Sequence, residues 1–70
     1  MNTIVIKDDF IKLGQALKLS GAAESGVDAK MCILDGLVMV NNEVELQRGK
    51  KLYEGDIISF DNEEYIIVKQ

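Results

Sequence analysis

The stretch "LVMVNNEVEL", Leu37 to Leu46, decides how this chain folds. Before it, apolar residues recur at helical spacing; from Leu37 onward they alternate, in two short runs around Asn41-Asn42. Asparagine tolerates positive φ, so these two residues predict a tight hairpin. Downstream, "EGD" at 54–56 reads as another turn, and "IISF" and "YIIV" flank "DNEE" as a second hairpin. Upstream, "ESGVDAKMCILDG" predicts a helix. Ser25 with Asp28 three residues on resembles a capping box, Val27, Met31 and Leu34 form the stripe expected to face the core, and Gly36 stops the helix. Before that, "DDFIKLGQALKLSG" predicts a helix capped by Asp8 or Asp9, with Phe10, Leu13 and Leu17 on one face and an end at Ser20-Gly21. "NTIVI" reads as a first strand. One strand, two helices and four strands predict an α+β domain: two helices packed on a small antiparallel sheet, with an N-terminal strand.

Seventy residues fit a single domain, residues 1–70. A chain this short buries about 60% of the surface it exposes when unfolded, so its core is thin. With 47% hydrophobic and 29% charged residues it is too apolar to stay disordered. No apolar run approaches the roughly 18 residues needed to cross a bilayer, and "MNTIVIKDDF" lacks the pattern of a signal peptide, so a cytoplasmic protein is expected, with no membrane partner. The single cysteine, Cys32, cannot close an internal disulfide; between Met31 and Ile33 it reads as a small core residue. There is no histidine, no Gly-rich phosphate loop and no grouping of nucleophile and base, so neither an enzyme nor a cofactor or metal site is expected.

The formal net charge is −4, but the charge is unevenly spread. Residues 47–53 carry +3, whereas residues 31–46 carry −3 and residues 54–70 carry −4. An acidic chain does not attract nucleic acid by its bulk charge. The local concentration of Arg48, Lys50 and Lys51 in "LQRGKKLYEGD" has two readings: a solvated turn or guarded strand edge, or a contact for phosphate.

The frame from Lys12 to Ile58 resembles the small RNA-binding domain first described in ribosomal protein S-four, the αL RNA-binding motif. The resemblance covers roughly residues 10–60 and is carried by Lys12-Leu13, Ser25, Ala29-Lys30, "GLVMVNN" at 36–42 and "RGKKLYEGDII" at 48–58. The chain is most similar to short stand-alone bacterial members of the YaaA type, in which a strand precedes the "IKLGQ" segment. It departs from the pattern at Gly26, where Arg is usual, at Gly14, where an acid is usual, and at Gln47-Arg48, where a basic residue and Pro are usual.

What the resemblance implies is a non-catalytic RNA-binding module for structured RNA, ribosomal RNA or ribosomal subunits being the expected partner, in ribosome assembly or on ribosomal particles. It implies a surface made by Lys30 on the second helix, Lys12 at the first, and Arg48, Lys50 and Lys51 from the loop, with Asn41 adding a turn amide. Such cations give affinity and salt dependence rather than sequence readout. Taken singly, Lys12 or Lys30 reads as a solubilising surface residue, and Asn41 as a hairpin residue. Tyr53 reads as a packing residue, with base stacking as its other role. The alternative function is a protein-interaction module on the same scaffold with RNA binding lost. A ubiquitin-like carrier finds no support, since the closing "VKQ" has no Gly-Gly.

Overall fold

The computed structural model describes residues 1–70. In chain order its elements are β1 (Asn2–Ile6), β2 (Ile11–Lys12), α1 (Leu13–Leu19), α2 (Gly26–Leu34), β3 (Val38–Val40), β4 (Glu43–Val44), β5 (Lys51–Leu52), β6 (Ile57–Phe60) and β7 (Glu63–Lys69). Five strands form one sheet in the order β1-β7-β6-β3-β4, and β2 and β5 form a separate two-stranded ribbon. The α+β class holds. The sheet, however, is mixed rather than antiparallel, because β1 runs parallel to β7, from Asn2 opposite Tyr65 to Ile6 opposite Lys69. The two ends of the chain are thereby joined through the backbone.

Both predicted hairpins form on asparagine-containing two-residue turns. Asn41 and Asn42 have φ of 51° and 71°, and Asp61 and Asn62 have φ of 54° and 63°. Positive φ at both central residues gives a turn whose twist matches that of the strands it joins. Glu63 and Glu64, expected in the second turn, belong to β7 instead.

The core consists of thirteen apolar residues with no buried polar side chain. Ile4 and Ile6 of β1, Val38 and Val40 of β3, Ile58 of β6 and Ile67 of β7 supply it from the sheet. Leu13, Ala16 and Leu17 of α1, with Ala29 and Ile33 of α2, cover that face. At seven and nine residues the helices are too short to persist alone, so this packing holds them.

The first helix is shorter than its sequence suggests. Ile11 and Lys12 are drawn into the β2–β5 ribbon, so α1 begins at Leu13 and neither Asp8 nor Asp9 caps it. Asp9 instead meets Lys69 at 2.8 Å, the single ion pair in the molecule. The Lys69 ammonium, by hydrogen bond and charge, holds the Asp9 carboxyl below the usual carboxylate range. Asp9 in turn raises Lys69 in the same two ways.

The second helix forms as expected, with the Ser25 hydroxyl accepting from the Asp28 amide, but it is turned the other way. Val27, Met31 and Leu34 are exposed at 70%, 53% and 57%, while Ala29 and Ile33 are buried and Cys32 packs against the core. The helix carries two apolar stripes. Ala16, Ala23 and Ala29 are all buried. The stripe with the smaller side chains faces inward, which lets α2 lie close to α1. No helix is long and apolar enough to cross a membrane.

Candidate functional site

The ribbon formed by β2 and β5 organises the basic residues. Ile11 pairs with Leu52 and Lys12 with Lys51, in antiparallel register. Alternation along each strand puts the fully buried Leu52 on the inner side and the exposed Lys12 and Lys51 together on the outer side. The same segment also starts α1. The Leu13 amide donates to the Lys50 carbonyl at 2.8 Å, and the Gly14 amide to the Arg48 carbonyl at 3.0 Å. These carbonyls satisfy donors that a helix N-terminus leaves unpaired, the task expected of Asp8 or Asp9. The approach does not require glycine: a Cβ at Gly14 would lie 3.6 Å from the Arg48 Cβ and carbonyl oxygen, an ordinary van der Waals contact.

Lys12, Arg48, Lys50 and Lys51 are therefore brought together by backbone bonds, and all four side chains are exposed. None takes part in an ion pair, since Lys69 with Asp9 is the only one. Four unpaired cations on neighbouring backbone form a local positive surface on an acidic protein. Charge is screened beyond roughly 8 Å at physiological salt, so the acidic residues that act on a ligand here are the near ones. These are Glu45, whose carboxylate accepts from the Gln47 amide at 3.2 Å, and Asp56, which accepts from the Tyr53 amide.

Lys30 is exposed on α2, at helical spacing with the exposed Val27, Met31 and Leu34, and shares no hydrogen bond or strand pairing with the loop. Asn41 has a different task from that of a free turn amide. Its side chain donates to Asp56 Oδ1 at 3.1 Å and accepts from the Ile57 amide at 3.0 Å. The other Asp56 oxygen accepts from the Tyr53 amide at 2.7 Å. Asp56 thus ties the β3–β4 hairpin to the end of β5, a role the sequence reading passed over, although the "GD" of the turn marked its place.

Asn41→Ala should cost about 1–3 kcal/mol in urea denaturation. It removes two side-chain hydrogen bonds and leaves a residue without a polar side chain at positive φ. An unchanged midpoint would mean that the bracket carries no stability.

Two aromatics also stand at the ribbon. Phe10 and Tyr53 have ring centroids 6.2 Å apart at an interplanar angle of 52°. The Lys51 ammonium sits 4.7 Å from the centre of the Phe10 ring. Phe10 was expected on the core face of a helix; the early strand places it beside the cations instead.

The S4 domain family model matches residues 4–68. The chain belongs to the S4 domain family. Among its relatives, this S4 domain is 42% identical over 60 residues to the Bacillus subtilis protein named "Probable ribosome maturation protein RlbA", across 86% of this chain and 84% of that one. It is 39% identical over 54 residues to the Escherichia coli protein named "Putative RNA-binding protein YbcJ", across 77% of each chain. The solution structure of YbcJ from E. coli, described as revealing an αL motif involved in RNA binding, aligns with a TM-score of 0.74 and 35% identity over 97% of this chain and 87% of that one. This S4 domain therefore has the αL-motif fold.

Proposed function

We propose that this S4 domain is a non-catalytic RNA-binding module that takes structured RNA, ribosomal RNA in particular, through phosphate contacts at Lys12, Arg48, Lys50 and Lys51. One observation carries the reading: four exposed cations, all free of ion pairs, are fixed side by side by the β2–β5 pairing and by the cap of α1. Backbone placement of this kind lowers the entropy lost when the loop meets a phosphate ligand. The names of RlbA and YbcJ, for ribosome maturation and RNA binding, point the same way. That likeness supports a role in ribosome maturation. Lys30 would extend the contact along α2 or serve solubility alone.

The test is binding of the pure protein to ribosomal RNA and to isolated ribosomal subunits over a salt series. A steep fall of affinity with salt is expected, and absence of binding at low salt would overturn the reading. Gly26→Arg sharpens it. A Cβ at Gly26 meets no atom within 4 Å, and its φ is not in the left-handed region, so a side chain fits at the start of α2. The added cation is expected to steepen the salt slope by about 0.7–0.9. An unchanged slope would remove α2 from the contact surface.

A second reading rests on the exposed α2 stripe of Val27, Met31 and Leu34, flanked by Asp28 and Asp35. Contiguous exposed apolar side chains mark contact surfaces. A protein partner with an apolar and basic face would suit it.

A further inference from the structure

The outer face of the ribbon holds more than cations. Continuing the register of Ile11 with Leu52 and Lys12 with Lys51 by one pair sets Phe10 opposite Tyr53, and their rings lie 6.2 Å apart. Phe10 and Lys12 alternate on one strand, and Lys51 and Tyr53 on the other. Two aromatic rings and two ammonium groups therefore share one side of the ribbon, and the buried Leu52 takes the other. The rings are not equivalent. Phe10 is half-buried and has the Lys51 ammonium over it. Tyr53 is 50% exposed. Its amide is held by Asp56, which is held in turn by Asn41. A residue so anchored, with half its surface open beside unpaired cations, does not have the surroundings of a core tyrosine.

We propose that this face is a stacking site for an unpaired RNA base, with Tyr53 as the platform and Lys12 and Lys51 holding the flanking phosphates. The inference rests on the RNA reading above and narrows its ligand. An A-form duplex hides its base faces, whereas a loop or bulge offers an unstacked base to an aromatic side chain. Stacking tolerates any base, because each has a π face, so the site selects unpaired structure rather than sequence. The cations supply the salt-dependent part and Tyr53 a part insensitive to salt.

The probes are a hairpin RNA with 2-aminopurine in its loop and a blunt duplex with the same stem sequence. The wild type is expected to bind the hairpin about tenfold tighter than the duplex, with a change in 2-aminopurine fluorescence. Tyr53→Ala should lose that preference and that signal while keeping the salt slope. Tyr53→Phe should retain both. Tyr53→Leu keeps an apolar contact with Phe10 but has no ring, so it should behave like the alanine variant; thermal melts of all three check that the fold persists. Equal binding of both RNAs by the wild type, or a preference that survives Tyr53→Ala, overturns the stacking site and leaves the phosphate surface standing. No binding of either RNA at low salt overturns both.

Discussion

Replacing Arg48, Lys50 and Lys51 together with alanine is expected to weaken binding to ribosomal RNA by about 100-fold near physiological salt. The figure follows from counterion release. Each phosphate contact contributes about 0.7–0.9 to the slope of log affinity against log salt, so three lost contacts flatten the slope by about 2–3. Near 0.15 M salt that difference amounts to roughly two orders of magnitude relative to the 1 M reference. The variant is a clean probe because the loop's structural task belongs to its backbone. Alanine keeps the carbonyls of residues 48 and 50 that receive the Leu13 and Gly14 amides. Of the three side chains only Lys51 has a partner, the Phe10 ring, and that contact is worth about 0.5–1 kcal/mol at an exposed site. Folding should therefore persist while binding falls. If affinity and slope both match the wild type, the loop is a solvated turn that serves to start α1, and the α2 stripe becomes the surface to study.

The second large effect concerns the orientation of α2. Ile33→Ala should cost about 2–5 kcal/mol, since Ile33 is fully buried and the deletion leaves a cavity. Total stability at this length is roughly 3.5–10 kcal/mol, so much of the population could unfold. Leu34→Ala, one residue on, should stay within about half a kcal/mol, because Leu34 is 57% exposed. Urea denaturation of the two variants side by side checks this. The opposite ranking would mean that the Val27, Met31 and Leu34 stripe faces the core.

That pair of residues shows where sequence reading stops. In "GVDAKMCIL" both stripes have helical spacing, and hydrophobicity favours the one with larger side chains. What selects the other is the closeness of α1, visible only once Ala16, Ala23 and Ala29 are seen buried together. The first helix shows a related limit. Asp8 and Asp9 are sound caps by local preference, yet the pairing of Ile11 with Leu52 and Lys12 with Lys51, far along the chain, starts the helix later. The candidate site was legible in part. Arg48, Lys50 and Lys51 are contiguous in the chain, and their charge stands out in an acidic sequence. Lys12 joined them through the resemblance, and the ribbon supplies the physical reason. Phe10 and Tyr53 were not legible as a pair, because the register that sets them opposite each other is long-range.

By itself, the sequence determined the local features: the asparagine turns, the Ser25 cap, the glycine stop at residue 36, the change from helical to alternating period and the position of the basic loop. Each depends on a few neighbouring residues whose conformational preferences are strong. Only the tertiary structure decided the parallel pairing of β1 with β7, the face that α2 buries, the late start of α1 and the grouping of aromatics with lysines on the ribbon. These depend on which distant surfaces fit together, and the small inward side chains and long-range backbone pairing that settle the fit leave no local pattern in the chain.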